Sequence, residues 1–477
     1  MINKRPARPS SGPSFLAVTL IAAFSALPAA QAQTPAFETP DVGFKGRVSV
    51  IETPVVLPGG EVKLGGRDFK PGQEIRLSYG GAALGGTAPI IVDDKGTFRA
   101  QFTVPANAPA GQHPVVISAS KPAAALVHPL KISPNVPLAG DDKFTATAQK
   151  LVPGLYQAAY SAKTDRIFVT SAVGRPPVTQ SQLLKLNPQT LATETSVTPP
   201  AAPARPAAPN DKPRDPGLYA VYGVAVDDSN GTDWVTNTRQ NTVAVYRQSD
   251  LSLVKQFEPG TVAHSRDVIV DEKMGKAYVS AANQNHIAVF ETRTLQWLRN
   301  IEIDSAQRGD DGKFIPMSLD LDRASHKLYT VSLRTAEAAV IDTRVDAVER
   351  VLPVPGAVAA SGVAFDSKTN RLLVAAQGSD NLIILDAASG KVLHDVKVGA
   401  GSLNVALDRG RGLAYVPNRG SGTVTVVNLD GQIVANLAGG TFPNHATDDG
   451  KGTIYAINKS RGADDPQGDR ITRITPR

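Results

Sequence analysis

The chain has 477 residues, no cysteine and a formal charge of +6. The lack of cysteine excludes disulfides, cysteine-ligated metals, thioether-bound haem and a lipid anchor on cysteine. Lys4, Arg5 and Arg8 supply three positive charges in an N-terminal segment without acidic residues, which leaves +3 on the rest of the chain. That charge is too weak to predict nucleic-acid or membrane binding by itself.

Residues 1–32 have the pattern of a cleaved secretory signal peptide. The three cations precede an apolar stretch at 15–30, and Ala30 and Ala32 fit a small-residue cleavage site before Gln33. No later stretch has 18 uninterrupted apolar residues, so we expect no membrane span. The sequence therefore predicts export to the periplasm, followed by a disordered segment at 33–44.

Residues 45–133 predict a small antiparallel β-sandwich. Short alternating strands such as 75–79 are separated by turns rich in Gly and Pro, for example 66–72 and 94–98. We expect a linker at 134–142 and a second domain at 143–477.

The second domain contains a four-residue string, aromatic or Leu followed by small and β-branched residues, that recurs seven times. An Asp stands seven residues before six of the copies, and Gly, Asn, His or Asp follows it four residues later, which is hairpin chemistry. The copies are at 168–171, 234–237, 278–281, 329–332, 373–376, 415–418 and 455–458. Units of 40 to 45 residues with four short strands predict the blades of a β-propeller.

The last unit is one strand short, because the chain ends soon after 469–474. We expect the segment 144–152 to supply the missing strand, so that the ring closes without an open sheet edge. The predicted fold is all-β: a seven-bladed propeller closed by an N-terminal strand and preceded by a sandwich.

The recurring string resembles the YVTN repeat, and the second domain resembles the YncE-like family of exported seven-bladed propellers. The copies nearest to the motif are 234–237 and 415–418. The front domain resembles bacterial immunoglobulin-like modules. The family resemblance implies binding or scaffolding more than catalysis, and the family is sometimes described as DNA-binding. Its fold also occurs in lactonases, lyases and dehydrogenases, so the fold does not decide the function.

The repeat register places polar residues at the loops that enter the innermost strands, around one mouth of the central channel. Cations of neighbouring loops add to this face, which suits a polar or anionic partner. The predicted ligand-binding residues are Tyr156, Gln157, Tyr222, Arg239, Arg266, Asp267, Asn404, Arg419, Asn444 and His445. Further cations expected there are Arg175, Arg334, Lys459 and Arg461. The alternative interpretation is that these polar residues only satisfy the water of a propeller channel.

Three functions remain open at this point. The first is a monomeric binding or scaffold protein for a protein or an anionic envelope ligand. The second is binding of single-stranded nucleic acid, which needs aromatic rings among the cations. The third is a lactonase or lyase in which Arg266, Asp267 and His445 form an acid–base group. We predict no cofactor, no metal site and no assigned catalytic residue, because one Asp and one His at the mouth do not make a metal centre.

Overall fold

The computed structural model describes residues 37–204, 215–307 and 312–477. Every regular element in these ranges is a β-strand except two short 3-10 turns at Asp141–Lys143 and Thr238–Gln240. None of the described elements is a helix long and apolar enough to cross a membrane. The predicted signal peptide lies outside the described residues.

Eight strands form the front sandwich, which we define as residues 47–132. One sheet has the order β1-β2-β6, and the other has the order β4-β3-β7-β8 with β5 beside β3. Alternating side chains such as Val62, Leu64, Ile75 and Ile117 point between the two sheets and are almost fully buried. The strands are β1 (Arg47–Val50), β2 (Glu61–Arg67), β3 (Glu74–Tyr79), β4 (Ala82–Leu84), β5 (Ile90–Ile91), β6 (Phe98–Thr103), β7 (Gly111–Ser120) and β8 (Ala124–Ile132).

Residues on both sides of the front sandwich are held by contacts. In the segment expected to be disordered, the Asp41 N–H donates to the carbonyl of Ala123 at 2.8 Å. The Phe44 ring packs edge-on against Phe69. In the expected linker, Ala139 pairs with Asn436 of the second domain. Each end of the front sandwich is therefore fastened to folded structure.

The second domain consists of seven four-stranded antiparallel sheets in the described residues. Sheets 1 to 3 are β10 (Leu155–Ser161), β11 (Arg166–Ala172), β12 (Ser181–Leu186), β13 (Thr193–Val197); β14 (Val224–Asp227), β15 (Thr232–Asn237), β16 (Thr242–Arg247), β17 (Leu253–Gln256); β18 (Ser265–Asp271), β19 (Lys276–Ala281), β20 (His286–Glu291), β21 (Gln296–Glu302). Sheets 4 and 5 are β22 (Pro316–Asp322), β23 (Lys327–Ser332), β24 (Glu337–Asp342), β25 (Ala347–Pro353); β26 (Ala360–Asp366), β27 (Arg371–Ala376), β28 (Asn381–Asp386), β29 (Val392–Lys397). Sheets 6 and 7 are β30 (Ala406–Asp408), β31 (Leu413–Asn418), β32 (Thr423–Asn428), β33 (Ile433–Ala438); β34 (Pro443–Asp448), β35 (Ile454–Asn458), β36 (Arg470–Pro476), with β9 (Phe144–Lys150) as outer strand.

The sheets form a closed β-propeller. The first strand of each sheet contacts the first strand of the next, and β34 of the last sheet contacts β10 of the first. The predicted closure is present, because β9 pairs antiparallel with β36 over seven residues, from Lys150 opposite Arg470 to Phe144 opposite Pro476. Apolar side chains fill the space between neighbouring sheets, as Tyr278 does against Leu319.

The two faces of the propeller differ in the loops they carry. The upper face carries the loops that enter each first strand and the loops that join the second strand to the third. The lower face carries the hairpins between first and second strands, where Asp227 and Asp366 accept hydrogen bonds from turn residues. The repeated Asp is therefore turn chemistry, as expected from the sequence.

Candidate functional site

A central channel of about 530 Å³ runs along the first strands of the seven sheets. Small aliphatic side chains and the backbone form most of its wall. Four of the predicted site residues line its upper end, namely Gln157, Asp267, Asn404 and His445. The lining continues to the lower hairpins, where Arg409 belongs to it.

The polar residues at the upper end link neighbouring sheets. Each first strand is the inner edge of its sheet, so its inward N–H groups lack a strand partner. The Gln157 Oε1 accepts a hydrogen bond from the Val224 N–H at 3.2 Å. The Asp267 Oδ2 accepts one from the Leu319 N–H at 3.0 Å. These side chains therefore satisfy the backbone of the next sheet.

Asn404 and His445 do the same on the other side of the ring. The Asn404 Oδ1 accepts from the Ala446 N–H at 2.9 Å. The Ala158 N–H donates to Nδ1 of His445 at a long 3.4 Å. This hydrogen bond links the last sheet to the first. We call Gln157, Asp267, Asn404 and His445 the linking layer.

Two members of the linking layer are titratable, and burial disfavours the charged form of both. Burial, and then the positive charge of Arg266, lower the pKa of His445 to about 3. The ring is therefore neutral at physiological pH. Burial raises the pKa of Asp267, while Arg266 pulls it in the opposite direction.

A group of cations and aromatic rings lies directly above the linking layer. We call it the mouth cluster and define it as Tyr156, Tyr222, Arg239, Arg266, Arg419, Phe442, Lys459 and Arg461. Tyr156, Tyr222 and Arg266 each stand one residue before the linking position of their sheet. The remaining cations follow a second strand, as Arg239 follows β15 and Arg419 follows β31.

Two tyrosines form the centre of the mouth cluster. The rings of Tyr156 and Tyr222 meet edge to face with 4.7 Å between their centroids. The guanidinium of Arg266 and the amine of Lys459 lie 5.2 Å and 4.5 Å from the centre of the Tyr156 ring. The Nε of Arg239 donates to the Tyr222 hydroxyl at 3.1 Å. The two rings are thus already occupied by cation–π and aromatic contacts.

Asn444 joins the other half of the cluster to the first sheet. Its Oδ1 accepts from Nη1 of Arg419 at 3.0 Å, and its Nδ2 donates to the Tyr156 carbonyl at 2.6 Å. The Phe442 ring lies beneath the guanidiniums of Arg419 and Arg461 at 4.9 Å and 5.3 Å. Five cations from four sheets of the propeller therefore converge at one end of the channel.

The cations of the mouth cluster are not paired directly with carboxylates in the described residues, although Asp267, Asp465 and Asp469 each lie near one of them. None of its five cations makes an ion pair there. Arg266 is only 8% exposed, and its Nη1 has no hydrogen-bond partner in the same ranges. Burial lowers the pKa of Arg419, and burial together with Arg239 and Arg266 lowers that of His264. Burying a guanidinium donor without an acceptor is costly, and guanidiniums commonly bind carboxylate or phosphate groups.

The front sandwich contacts the upper face beside this cluster. Lys131 of β8 pairs with Asp380 at 2.8 Å, and the Asp380 side chain is 1% exposed. The same carboxylate accepts from the Gly401 N–H at 2.7 Å, and the Gly401 carbonyl accepts from the Arg419 N–H at 2.9 Å. Val55 approaches Gly420 so closely that a Cβ on that glycine would lie 3.0 Å from its side chain. The loop that carries Arg419 is therefore packed between the two domains.

The structure separates the predicted residues into two groups. Gln157, Asp267, Asn404 and His445 link sheets, whereas Tyr156, Tyr222, Arg239, Arg266, Arg419 and Asn444 belong to the mouth or support it. Arg175 and Arg334 are exposed, outside the contacts just described. Sequence reasoning missed Phe442, whose positive φ of 49° turns the chain into β34. Its place after a Gly-Gly-Thr turn and before Pro443 was the available signal.

Sequence reasoning also missed an ion pair at the lower end of the channel. The Arg409 Nη2 lies 2.7 Å from the Asp320 Oδ2, so sheets 6 and 4 are joined past sheet 5. The Phe365 N–H of sheet 5 donates to the same carboxylate at 2.6 Å. Asp320 stands in a first strand at a register position where most copies have a small apolar residue. The described residues contain no cluster of three metal-ligating side chains.

The comparisons with known proteins support the propeller fold. No protein-family model matches the chain, and no curated protein matches it. A hydrazine synthase structure from Kuenenia stuttgartiensis is similar over 65% of this chain and 94% of its own, with 15% identity and a TM-score of 0.52. Virginiamycin B lyase from Staphylococcus aureus is similar over 70% and 99%, with 14% identity and a TM-score of 0.51. The propeller domain of Cps50 (Swd1) from Myceliophteria thermophila is similar over 69% of this chain and 98% of its own, with 9% identity and a TM-score of 0.51.

The chain folds as a β-propeller. Identities of 9% to 15% support the fold and carry no information about activity. Virginiamycin B lyase and the Cps50 (Swd1) propeller domain share the architecture, so the function has to be argued from the mouth cluster itself.

Proposed function

We propose that this chain is a binding protein whose mouth cluster takes an anionic ligand. The observation that carries the proposal is the buried Arg266 guanidinium, which has an unpartnered Nη1 and no ion pair in the described residues. Burying a charge without a partner is costly, so a fold that keeps one there is expected to recover that cost on binding. Arg239, Arg419, Lys459 and Arg461 add to the same field.

The contacts of the tyrosines favour a small anion over single-stranded nucleic acid. Base stacking needs an accessible ring face. Tyr222 is only 5% exposed and packs against Tyr156, which already has two cations near its ring. The lyase hypothesis gains no comparable support, because a pKa of about 3 makes His445 a weak base and its Nδ1 already accepts a hydrogen bond.

We further propose the finer assignments that the sequence pattern suggests. The seven sheets are the blades of a YVTN-type propeller, and the front sandwich is an immunoglobulin-like module. The pattern in residues 1–32 supports export to the periplasm through a cleaved signal peptide, with the mature chain acting as a monomer.

Thermal unfolding with low millimolar sulfate tests the proposed function. We expect sulfate to raise the Tm of the wild type in a saturable manner, because a ligand that binds only the folded state stabilises it. Arg266→Met should abolish the saturable increase. Its Tm without sulfate is measured alongside, because the change also removes the cation–π contact with Tyr156 and the positive charge next to Asp267.

Arg334→Met is the matched control, because Arg334 is an exposed cation on the same face but outside the cluster. It should respond to sulfate like the wild type. If Arg266→Met and the wild type show the same saturable increase, the mouth cluster is not the anion site. If no saturable increase occurs in any variant with sulfate, phosphate or citrate, the proposed function is wrong.

A further inference from the structure

Lys459 occupies the centre of the mouth cluster without a polar partner for its amine. Its backbone N–H donates to the Phe442 carbonyl at 3.1 Å, which fixes the start of the side chain next to β34. The amine reaches the Tyr156 ring at 4.5 Å. In the described residues it makes neither a hydrogen bond nor an ion pair.

The groups that face Lys459 are nearly all positive. Arg419, Arg266 and Arg239 come from sheets 6, 3 and 2, and each repels a proton on the amine. Arg461 follows two residues later in the same loop. Asp469 is the one carboxylate that acts in the opposite direction, and it already accepts the Gly154 N–H at 2.8 Å.

Burial, followed by this repulsion, lowers the pKa of Lys459 to about 7. The amine is therefore divided between its neutral and charged forms at neutral pH when the site is empty. An anion placed among the guanidiniums would cancel the repulsion and give the amine an acceptor, so both causes of the shift would weaken.

We propose that the mouth cluster binds a compact anion with at least two negative charges, and that Lys459 gains a proton as this anion enters. The class comprises sulfate, phosphate groups and small polycarboxylates. The inference rests on the proposed function and adds to it the valence of the ligand and its coupling to protons.

The charge of the mouth cluster supports a ligand with at least two negative charges. Four guanidiniums and one amine surround the site, and the neighbouring carboxylates Asp267, Asp465 and Asp469 already accept hydrogen bonds from backbone N–H groups. A single negative charge would leave most of this repulsion in place, whereas a dianion also compensates the extra proton on Lys459.

The surroundings of the cluster support a compact ligand. The Tyr156 and Tyr222 rings form its centre, and the linking layer closes it from below. On the side of Arg419 the front sandwich packs against the loop, with Val55 next to Gly420. These neighbours restrict access to the cluster from the side of Arg419, which favours a small anion over a chain that crosses the face.

Titration calorimetry in Tris and in bis-Tris, two cationic buffers with different heats of protonation, measures the protons taken up. Sulfate is the probe, because it remains divalent throughout the neutral range. At about pH 7.5 the wild type should take up about 0.7 proton per sulfate, and its affinity should fall by up to about tenfold per pH unit above pH 7. Monovalent nitrate should bind at least about tenfold more weakly.

Lys459→Met should retain sulfate binding through the guanidiniums but lose the proton uptake and the dependence on pH. Lys459→Arg, with a permanent charge, should also take up no proton while keeping the affinity seen at low pH. Lys451→Met is the matched control: Lys451 also lies over a tyrosine ring, Tyr160 at 5.4 Å, but on the lower face. It should keep the wild-type proton uptake.

The outcomes separate the two proposals. Sulfate binding with no proton uptake, or with equal uptake in Lys459→Met, would overturn this inference and leave the proposed function standing. If nitrate binds as tightly as sulfate, the proposal that the ligand carries at least two negative charges is wrong. An oligothymidylate that displaces sulfate and binds far more tightly would contradict the compact ligand. No binding of any anion would remove both proposals.

Discussion

The carboxylate of Asp267 joins two neighbouring sheets of the propeller, because its Oδ2 accepts the Leu319 N–H at 3.0 Å. Its Oδ1 lies 3.0 Å from the N–H of Val268 in its own strand. We expect Asp267→Ala to lower the free energy of unfolding by about 1–3 kcal/mol, since two buried donors lose their acceptor. Asp267→Asn keeps one oxygen and should lose less. Urea unfolding measures both, and an unchanged Asp267→Ala would show that the link is not stabilising.

Asp233 is a buried carboxyl group at a position that is apolar in the other second strands. Neither of its oxygens has a hydrogen-bond partner in the described residues, and the side chain is fully buried. Burial raises its pKa well above the usual range. The equivalent residues are Ile167, Ala277, Leu328, Leu372, Ala414 and Ile454.

The raised pKa predicts that Asp233 destabilises the fold as pH increases. The folded state holds the proton more tightly than the unfolded chain, whose Asp titrates near pH 3.9. The free energy of unfolding should therefore fall as pH rises from about 4 through the folded-state pKa. Asp233→Leu should increase the free energy of unfolding at neutral pH by about 1–3 kcal/mol. It should also remove the part of the pH dependence that Asp233 causes. Urea unfolding at several pH values measures it.

The exposed Asp250 provides the control for that comparison. Hydrogen bonds from the Ser252 backbone and side chain lower its pKa, so its contribution has the opposite sign and is lost as pH falls. Asp250→Asn should leave the loss of stability at high pH unchanged. A wild type and an Asp233→Leu variant with parallel stability profiles from pH 4 to 8 would contradict the assignment.

The ion pair between Arg409 and Asp320 should stabilise the lower end of the channel modestly. Both side chains are partly exposed, at 38% and 18%, so solvent weakens the attraction. A double-mutant cycle with Arg409→Met and Asp320→Asn should give a coupling of about 1 kcal/mol. Asp320→Asn keeps an acceptor for the Phe365 N–H, so the cycle isolates the charge. A coupling energy of zero would show that the attraction between Arg409 and Asp320 does not stabilise the fold, even though the two side chains are in contact.

The pairing of β9 with β36 should be essential for cooperative unfolding. Deleting 143–152 or 470–477 removes one of the two strands and leaves an open edge in the last sheet. We expect either truncation to lose the single sharp transition that calorimetry or circular dichroism records for the full chain. A truncated protein that melts like the full one would show that the ring is stable without closure.

The fold could be predicted because its information is repeated along the sequence. Each copy of the string marks a second strand, and each Asp marks the hairpin before it. The strands of a unit can therefore be located even where its own motif is weak. The closing strand was predictable for the same reason, since the last unit lacked one strand. Isolated features such as the Arg409–Asp320 pair were not, because they depend on sheets that are distant in sequence.

The candidate site was predicted only in part. The register placed Gln157, Asp267 and His445 at the channel correctly, but it does not show that their polar atoms satisfy the backbone of the next sheet. Charge patterning pointed to Arg239 and Arg419, yet only the packed structure distinguishes a cation with an aromatic and amide partner from an exposed one such as Arg334. The environment of Lys459 depends on residues from four sheets, which no local pattern records.

The closure of the ring by β9 also determines when the propeller can finish folding. Thr145 and Arg477, which are in contact, are separated by 332 positions in the chain. A nascent chain emerges from its N-terminus, so β9 must wait for β36 to be synthesised before it finds its partner. Until then the first six sheets form an open arc with unprotected edges. The pairing of β9 with β36 therefore completes the ring, and a chain that stops before β36 presents an exposed strand edge to chaperones and proteases.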